Sequence, residues 1–178
     1  YARMQKFKES FVATNKTMGV FGAVDVGKDA CWWDYGQLKL YSRNNLKILE
    51  KSQDAELLRE FLGIVSPLMN SDCGETNVDG VSHIFSSAIK GGGVTSSVIS
   101  SVKCTSVEAQ GAILVNVSAK KIKAAPGSIA YNIIDSSEEG ITLGEGDVLV
   151  GIFDNEGNVT NVRSNIAIDG GKMWKELV

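Results

Sequence analysis

Few residues in this chain are placed to do chemistry, and Asp34 heads them. It stands in 31-CWWDYGQLKLYSRNNLKIL-49, with two of the three tryptophans directly before it and Tyr35 and Gly36 after it. A carboxylate among aromatic rings needs donors or a cation, because taking charge out of water is costly. Two arrangements answer that need. Asp34 can cap a helix starting near Gln37, or it can ligate a hard divalent ion such as Mg2+, which accepts one or two protein carboxylates plus phosphate oxygens. Gly36 allows the tight turn that either requires. His83 is the only histidine, so a multi-histidine zinc site, an HExxH motif and a two-histidine facial triad are excluded. As a general base it is the sole histidine candidate for acyl transfer. Cys31, Cys73 and Cys104 form no CxxC and read as reduced thiols in an intracellular setting. Gly91–Gly93 and 169-DGGK-172 lack the spacing of a phosphate loop and read as turns.

The bulk properties narrow the partners. The chain has 178 residues and a net charge of −3, from 18 basic and 21 acidic residues. No basic run is dense enough to track phosphates, so no nucleic-acid partner is expected. No signal peptide or membrane-length apolar run is visible, and no membrane partner is expected. The chain opens on Tyr1 rather than Met, which reads as a fragment or a processed chain.

Three zones must position these residues. Over 1–66, FVATNKTMGVFGAVDVG (11–27) reads as one or two short strands. Leu38, Tyr41, Ile48 and Leu49 fall at helical spacing, so 37–50 reads as an amphipathic helix. Ser52 and Asp54 can cap a second helix carrying Ala55, Leu57, Leu58, Phe61 and Leu62, closed by Gly63. Pro67 ends any continuation.

The second zone repeats. 84-IFSSAI-89, 98-VISSVK-103, 113-ILVNVS-118 and 129-IAYNII-134 each open with an aliphatic residue and carry Ser87, Ser101, Asn116 or Asn132 at the fourth position. The pairs Val107/Ala109 and Ile122/Ala124 recur between them. A short regular period marks a solenoid, in which stacked coils bury what one coil cannot. Residues 75–135 therefore read as about four coils of a parallel β-helix, expected to be left-handed. The Ser/Ser/Asn/Asn column is expected to form a hydrogen-bond ladder at a turn. An ordinary Ser-rich antiparallel sheet would have no reason to keep this spacing. In the third zone, 147-DVLVGIFDNEGNVTNVRS-164 reads as a hairpin with Asp154–Asn158 as its loop, capping the open end of the solenoid. Trp174 and Leu177 can dock the tail. The fold class expected is mainly β: a β-helix domain over 67–178, preceded over 1–66 by a small α/β segment with connecting helices.

W-x-D-x-G-x(4)-Y-x(3)-N-x(2)-L, carried here by Trp32 or Trp33, Asp34, Gly36, Tyr41, Asn45 and Ile48-Leu49, resembles the segment that closes the catalytic domain of sugar nucleotidyltransferases. Members of that family often carry a β-helix directly afterwards. The resemblance is direct over about residues 20–50 and architectural beyond. It implies that Asp34 binds Mg2+ together with an aspartate elsewhere in the catalytic domain. The ion would neutralise charge while a sugar-phosphate oxygen attacks the α-phosphorus of a nucleotide and diphosphate leaves. The family's G-x-G-T-R-x-x-P signature is absent, as is a recognisable partner aspartate, and Gln37 replaces the usual Thr or Ser.

The chain is therefore expected to be the C-terminal part of a sugar-1-phosphate nucleotidyltransferase, catalytically incomplete alone. Its partners would be an N-terminal catalytic domain, a nucleotide-sugar and sugar phosphate, and further copies of itself, in cytoplasm or plastid. The β-helix would serve oligomerisation, regulation or domain packing. Two other readings stand beside it. One is a non-catalytic scaffold with a partner surface around Trp32, Phe21 and Leu62. The other is a hexapeptide-type acyltransferase using His83, against which repeats of 14–16 residues rather than 18 count.

Overall fold

In a computed structural model that describes residues 1–17, 25–27 and 30–168, three helices precede a mainly β body. α1 spans Ala2–Thr14, α2 Leu38–Lys47 and α3 Gln53–Phe61. The expected strands over 11–27 fail at their start, because Phe11–Thr14 complete α1. The strong helix formers of ARMQKFKESFVA override the β-branched signal that follows. Residues 18–24 of that stretch lie outside the described residues, and Asp25 accepts a turn hydrogen bond from Gly27 N at 2.9 Å. No strand precedes residue 68 among the described residues, so the small α/β segment is helical where it is described. The chain separates into two compact units, 1–32 and 33–178, and α2 and α3 belong to the second.

The α3 boundaries follow the capping logic. Ser52 is the N-cap, its hydroxyl accepting from Ala55 N at 3.3 Å, and Gly63 closes the helix at φ +69°, a left-handed conformation natural to glycine.

Eleven strands follow: β1 (Leu68–Met69), β2 (Asn77–Val78), β3 (His83–Phe85), β4 (Ala88–Ile89), β5 (Gly92–Thr95), β6 (Val98–Gln110), β7 (Ile113–Ala124), β8 (Ile129–Ile134), β9 (Ile141–Leu143), β10 (Asp147–Phe153) and β11 (Val159–Asn165). All pair in parallel except β10 with β11. The register defines a three-faced parallel β-solenoid. Leu68, Ile84, Ile99, Leu114, Ala130 and Leu149 stack on the first face. Ala88, Lys103, Ser118 and Ile134 stack on the second. Val78, Val94, Ala109, Ala124 and Leu143 stack on the third.

The first-face column has six members, so the solenoid has about six coils rather than about four. The sequence repeat concealed two of them. The first coil carries Asp72 where later coils carry Ala88, Lys103, Ser118 and Ile134, and the segment 135–140 stretches the last spacing to 19 residues. The first repeat also begins one residue earlier than its pattern suggests, because His83, not Ile84, aligns with Val98.

That shift changes the corner column. Asn70, Ser86, Ser101, Asn116 and Asn132 all have φ between 48° and 57°, the left-handed region tolerated by short polar side chains that bond locally. Ser86, not Ser87, is the first-repeat member. The recurrent Ser/Asn therefore records a backbone conformation. Among the described residues one side-chain bond links the column, Asn116 Nδ2 to Asn132 Oδ1 at 2.7 Å.

Ser87 points inward instead, above Ser71 and below Val102. Its hydroxyl donates to Phe85 O and accepts from Val102 N. A second buried serine column does the same: Ser97 Oγ donates to Thr95 O and accepts from Ala112 N. These hydroxyls replace rung hydrogen bonds that corner geometry would leave unmade. Between the corners, aliphatic residues fill the interior, with Ala109, Ala119, Ala124 and Ala130 leaving room for Ile99, Leu114, Ile122 and Leu143.

Candidate functional site

The outer surface of the first face is itself apolar and is closed by the helices. Val98 packs with Ile48 and Leu58, flanked by Trp33, Leu46, Leu49, Ile64 and Phe85. Ile113, Ile129 and Val148 pack with Leu38, Tyr41 and Leu46. The apolar positions read over 37–50 thus point at the solenoid, with the helix itself ending at Lys47, and Tyr41, Leu46 and Ile48 form a docking stripe. Burial holds the Tyr41 hydroxyl above its ordinary pKa, helped by Tyr131 and Tyr35.

The WWDYG stretch forms the entrance to this docked pair. Asp34 Oδ1 accepts from Gly36 N at 2.7 Å, closing an Asx turn. A Cβ at Gly36 would stand 3.1 Å from that carboxylate oxygen, a tight contact that a small shift of the exposed Asp34 side chain relieves. The N-cap of α2 is Gln37, whose side chain makes no cap bond. Asn44 is 2% exposed, and its Nδ2 donates to Asp34 O at 2.7 Å. Asn45, the motif asparagine, donates instead to Tyr41 O within its own helix. The Asp34 backbone is therefore pinned while its carboxylate faces solvent.

The carboxylate that a tryptophan fixes is a different one. Trp33 Nε1 donates to Asp54 Oδ1 at 3.0 Å, and Lys47 Nζ donates to Asp54 Oδ2 at 2.5 Å. Trp33 also packs on Phe61, with ring centroids 5.8 Å apart. The bond to Asp54 raises the Lys47 pKa above its ordinary value. Asp54 is thus a hub joining the WWD turn, the end of α2 and the start of α3. Its acidity in a helix first turn was legible; its partners, 7 and 21 residues away, were not. Trp32 is 88% exposed.

Asp34 is the only site residue the sequence singled out as a metal ligand. Among the described residues, no three His, Cys, Asp or Glu side chains gather closely enough to hold a metal. Asp34 offers one exposed carboxylate, with Oδ1 already engaged by Gly36 N; that matches in type the one or two carboxylates a Mg2+ ion commonly takes, but it does not by itself make a site.

His83 sits on the first face, 7% exposed, its Nδ1 3.1 Å from Val81 O and its ring against Phe85. Burial holds its pKa below the ordinary histidine value. It borders a cleft of about 270 Å3 lined by Arg59, Ile48 and Pro67. Arg59 is committed there to Ile48 O and Glu50 O. Cys31 is exposed, Cys73 half-buried and Cys104 buried, all free thiols. Burial pushes the Cys104 pKa to about 11, so it is an inert core residue rather than a nucleophile. No helix among the described residues is long and apolar enough to cross a membrane. Phe21, 169-DGGK-172, Trp174 and Leu177 lie outside the described residues.

Comparison with protein-family profiles, with curated proteins and with solved structures finds no match for this chain.

Proposed function

We propose that this chain is the C-terminal part of a sugar-1-phosphate nucleotidyltransferase, with the solenoid serving domain packing and assembly. One observation carries the reading. The W-x-D-x-G turn, pinned through Asn44 and Trp33, leads straight into two helices docked on a parallel β-solenoid. That is the order of parts the motif resemblance implies. In the reaction, Mg2+ bound with substrate would neutralise phosphate charge at the α-phosphorus. This chain's part is to hold the Asp34 carboxylate outward on a turn whose geometry is fixed by Gly36 and Asn44. The substrate sugar and nucleotide would be held by the preceding catalytic domain.

Asp34→Asn in the complete polypeptide is expected to lower kcat at least tenfold and to raise the Mg2+ concentration needed for half-maximal rate. Asn keeps the Asx turn but loses the charge, so the fold should survive. A steady-state assay at varied Mg2+ checks this. Unchanged rate and unchanged Mg2+ dependence would remove Asp34 from the site.

A second, non-catalytic reading rests on Phe61, Leu62 and Val65, which are exposed at and just beyond the C-terminal end of α3. Apolar side chains gathered on a surface mark an interaction site when contiguous. That reading predicts no diphosphate release with any sugar 1-phosphate.

A further inference from the structure

The sixth coil does not follow the path of the other five. Residue 151 occupies the first corner column, where Asn70, Ser86, Ser101, Asn116 and Asn132 all turn with positive φ. Gly151 does not adopt a positive φ, so β10 runs on through the corner. Its pairing with the coil beneath stops at Val150↔Tyr131, while its antiparallel pairing with β11 continues to Phe153↔Val159. A two-stranded arm therefore overhangs the edge between the first and second faces. An isolated hairpin is marginal in water, and this one exposes Ile152, Phe153, Val159 and Val162, by 56, 42, 39 and 45%. Its tip carries Asp154 and Glu156. The Asp154 carboxylate accepts from Glu156 N, Asn158 N and Asn158 Nδ2, which order the loop.

The second face begins at the same edge and carries the opposite charge. Its outward positions include Lys90, Lys103 and Lys120, which outnumber the one carboxylate, Asp135, around a groove of about 320 Å3 also lined by Thr105, Ser118 and Ile134. Lys120 pairs with Glu138; Lys90 and Lys103 make no ion pair among the described residues. Ile134, at the upper end of the groove, is 63% exposed.

We propose that the acidic, apolar arm of one copy lies across the lysine groove of a second copy, and reciprocally, as a closed two-fold dimer. The arm and the groove match in charge and each exposes aliphatic surface. Because they border one edge of the prism, a single two-fold axis beside that edge satisfies both contacts at once, the isologous closure favoured by dimers. The dimer does not depend on the nucleotidyltransferase reading.

The test is the mass of the chain in solution by sedimentation equilibrium, at low and high salt. The wild-type chain should be a dimer that weakens as salt rises. Asn155→Lys with Glu156→Lys reverses the arm and spares Asp154, which holds the loop. Lys90→Glu with Lys103→Glu reverses the groove. Each double variant should raise the dimer Kd at least tenfold while retaining the wild-type circular dichroism and melting profile. Mixed together, the two should form a heterodimer, since both of its contacts are again attractive. A monomeric wild type, a dimer untouched by either reversal, or a mixture that stays monomeric overturns the proposal. So does a monomer that binds an acidic peptide through the groove, which would give the groove a different occupant.

Discussion

Gly92→Ala is expected to destabilise the protein by about 3 kcal/mol or more, enough to remove a large share of an ordinary domain's stability. Gly92 has φ +98°, and a Cβ there would stand 1.9 Å from Val107 O and 2.9 Å from Val107 N. Both atoms are backbone of the next coil, in register with Gly92 itself. No side chain can swing aside to relieve the clash, so the coils must separate at the point where β5 meets β6. The backbone strain alone is worth about 1–3 kcal/mol. The neighbouring residue provides the control. A Cβ at Gly91 meets nothing nearer than Thr105 O at 3.7 Å, so Gly91→Ala is expected to change stability by less than about 1 kcal/mol. Urea midpoints of the two variants, at equal m-value, measure the contrast. Equal midpoints would mean that the coils are not stacked in this register.

Leu114→Ala is expected to cost about 4 kcal/mol, toward the upper part of the range for buried leucines. Leu114 has no exposed surface and stands between Ile99 and Ala130 in the interior column of the first face. Its vacancy cannot collapse, because backbone rungs fix the coils above and below it and the smallest neighbours are already alanines. An interior coil also loses two interfaces when it is disturbed, since stability in a solenoid is summed over nearest neighbours. Ile134→Ala, on the exposed second face, should be nearly neutral in the monomer. Equilibrium denaturation of both variants checks the difference. A loss under about 1.5 kcal/mol at Leu114 would contradict its place in the core.

The solenoid was legible because its signal is periodic and local. Aliphatic residues 15 or 16 apart, with Val107/Ala109 and Ile122/Ala124 between them, matched the observed register of β6 and β7. The hairpin of β10 and β11, and the Ser52 cap with its Gly63 stop, were equally plain, since each depends on a few adjacent residues. The terminal coils were hidden where the repeat is interrupted: Asp72 at one end, the 135–140 insertion at the other. The Ser/Asn column was seen, but its cause was misread. It reflects positive φ, a property of backbone geometry, more than a ladder of side-chain bonds. At the candidate site, Asp34 and Gly36 declared themselves through spacing. Asp54 did not, because its bond to Trp33 spans 21 residues and arises only once α3 has docked on the solenoid. The helix stripe of Leu38, Tyr41 and Ile48 was visible as amphipathic, yet nothing in the sequence named the solenoid's first face as its partner.

The most direct measurement is diphosphate release by the polypeptide that joins this chain to the catalytic region the proposed function places before it, supplied with Mg2+, nucleoside triphosphates and sugar 1-phosphates. The account predicts release that requires both substrates and the metal, with an NDP-sugar formed in equal amount. Absence of release from every pairing of nucleotide and sugar 1-phosphate, by a polypeptide shown to be folded, would contradict it.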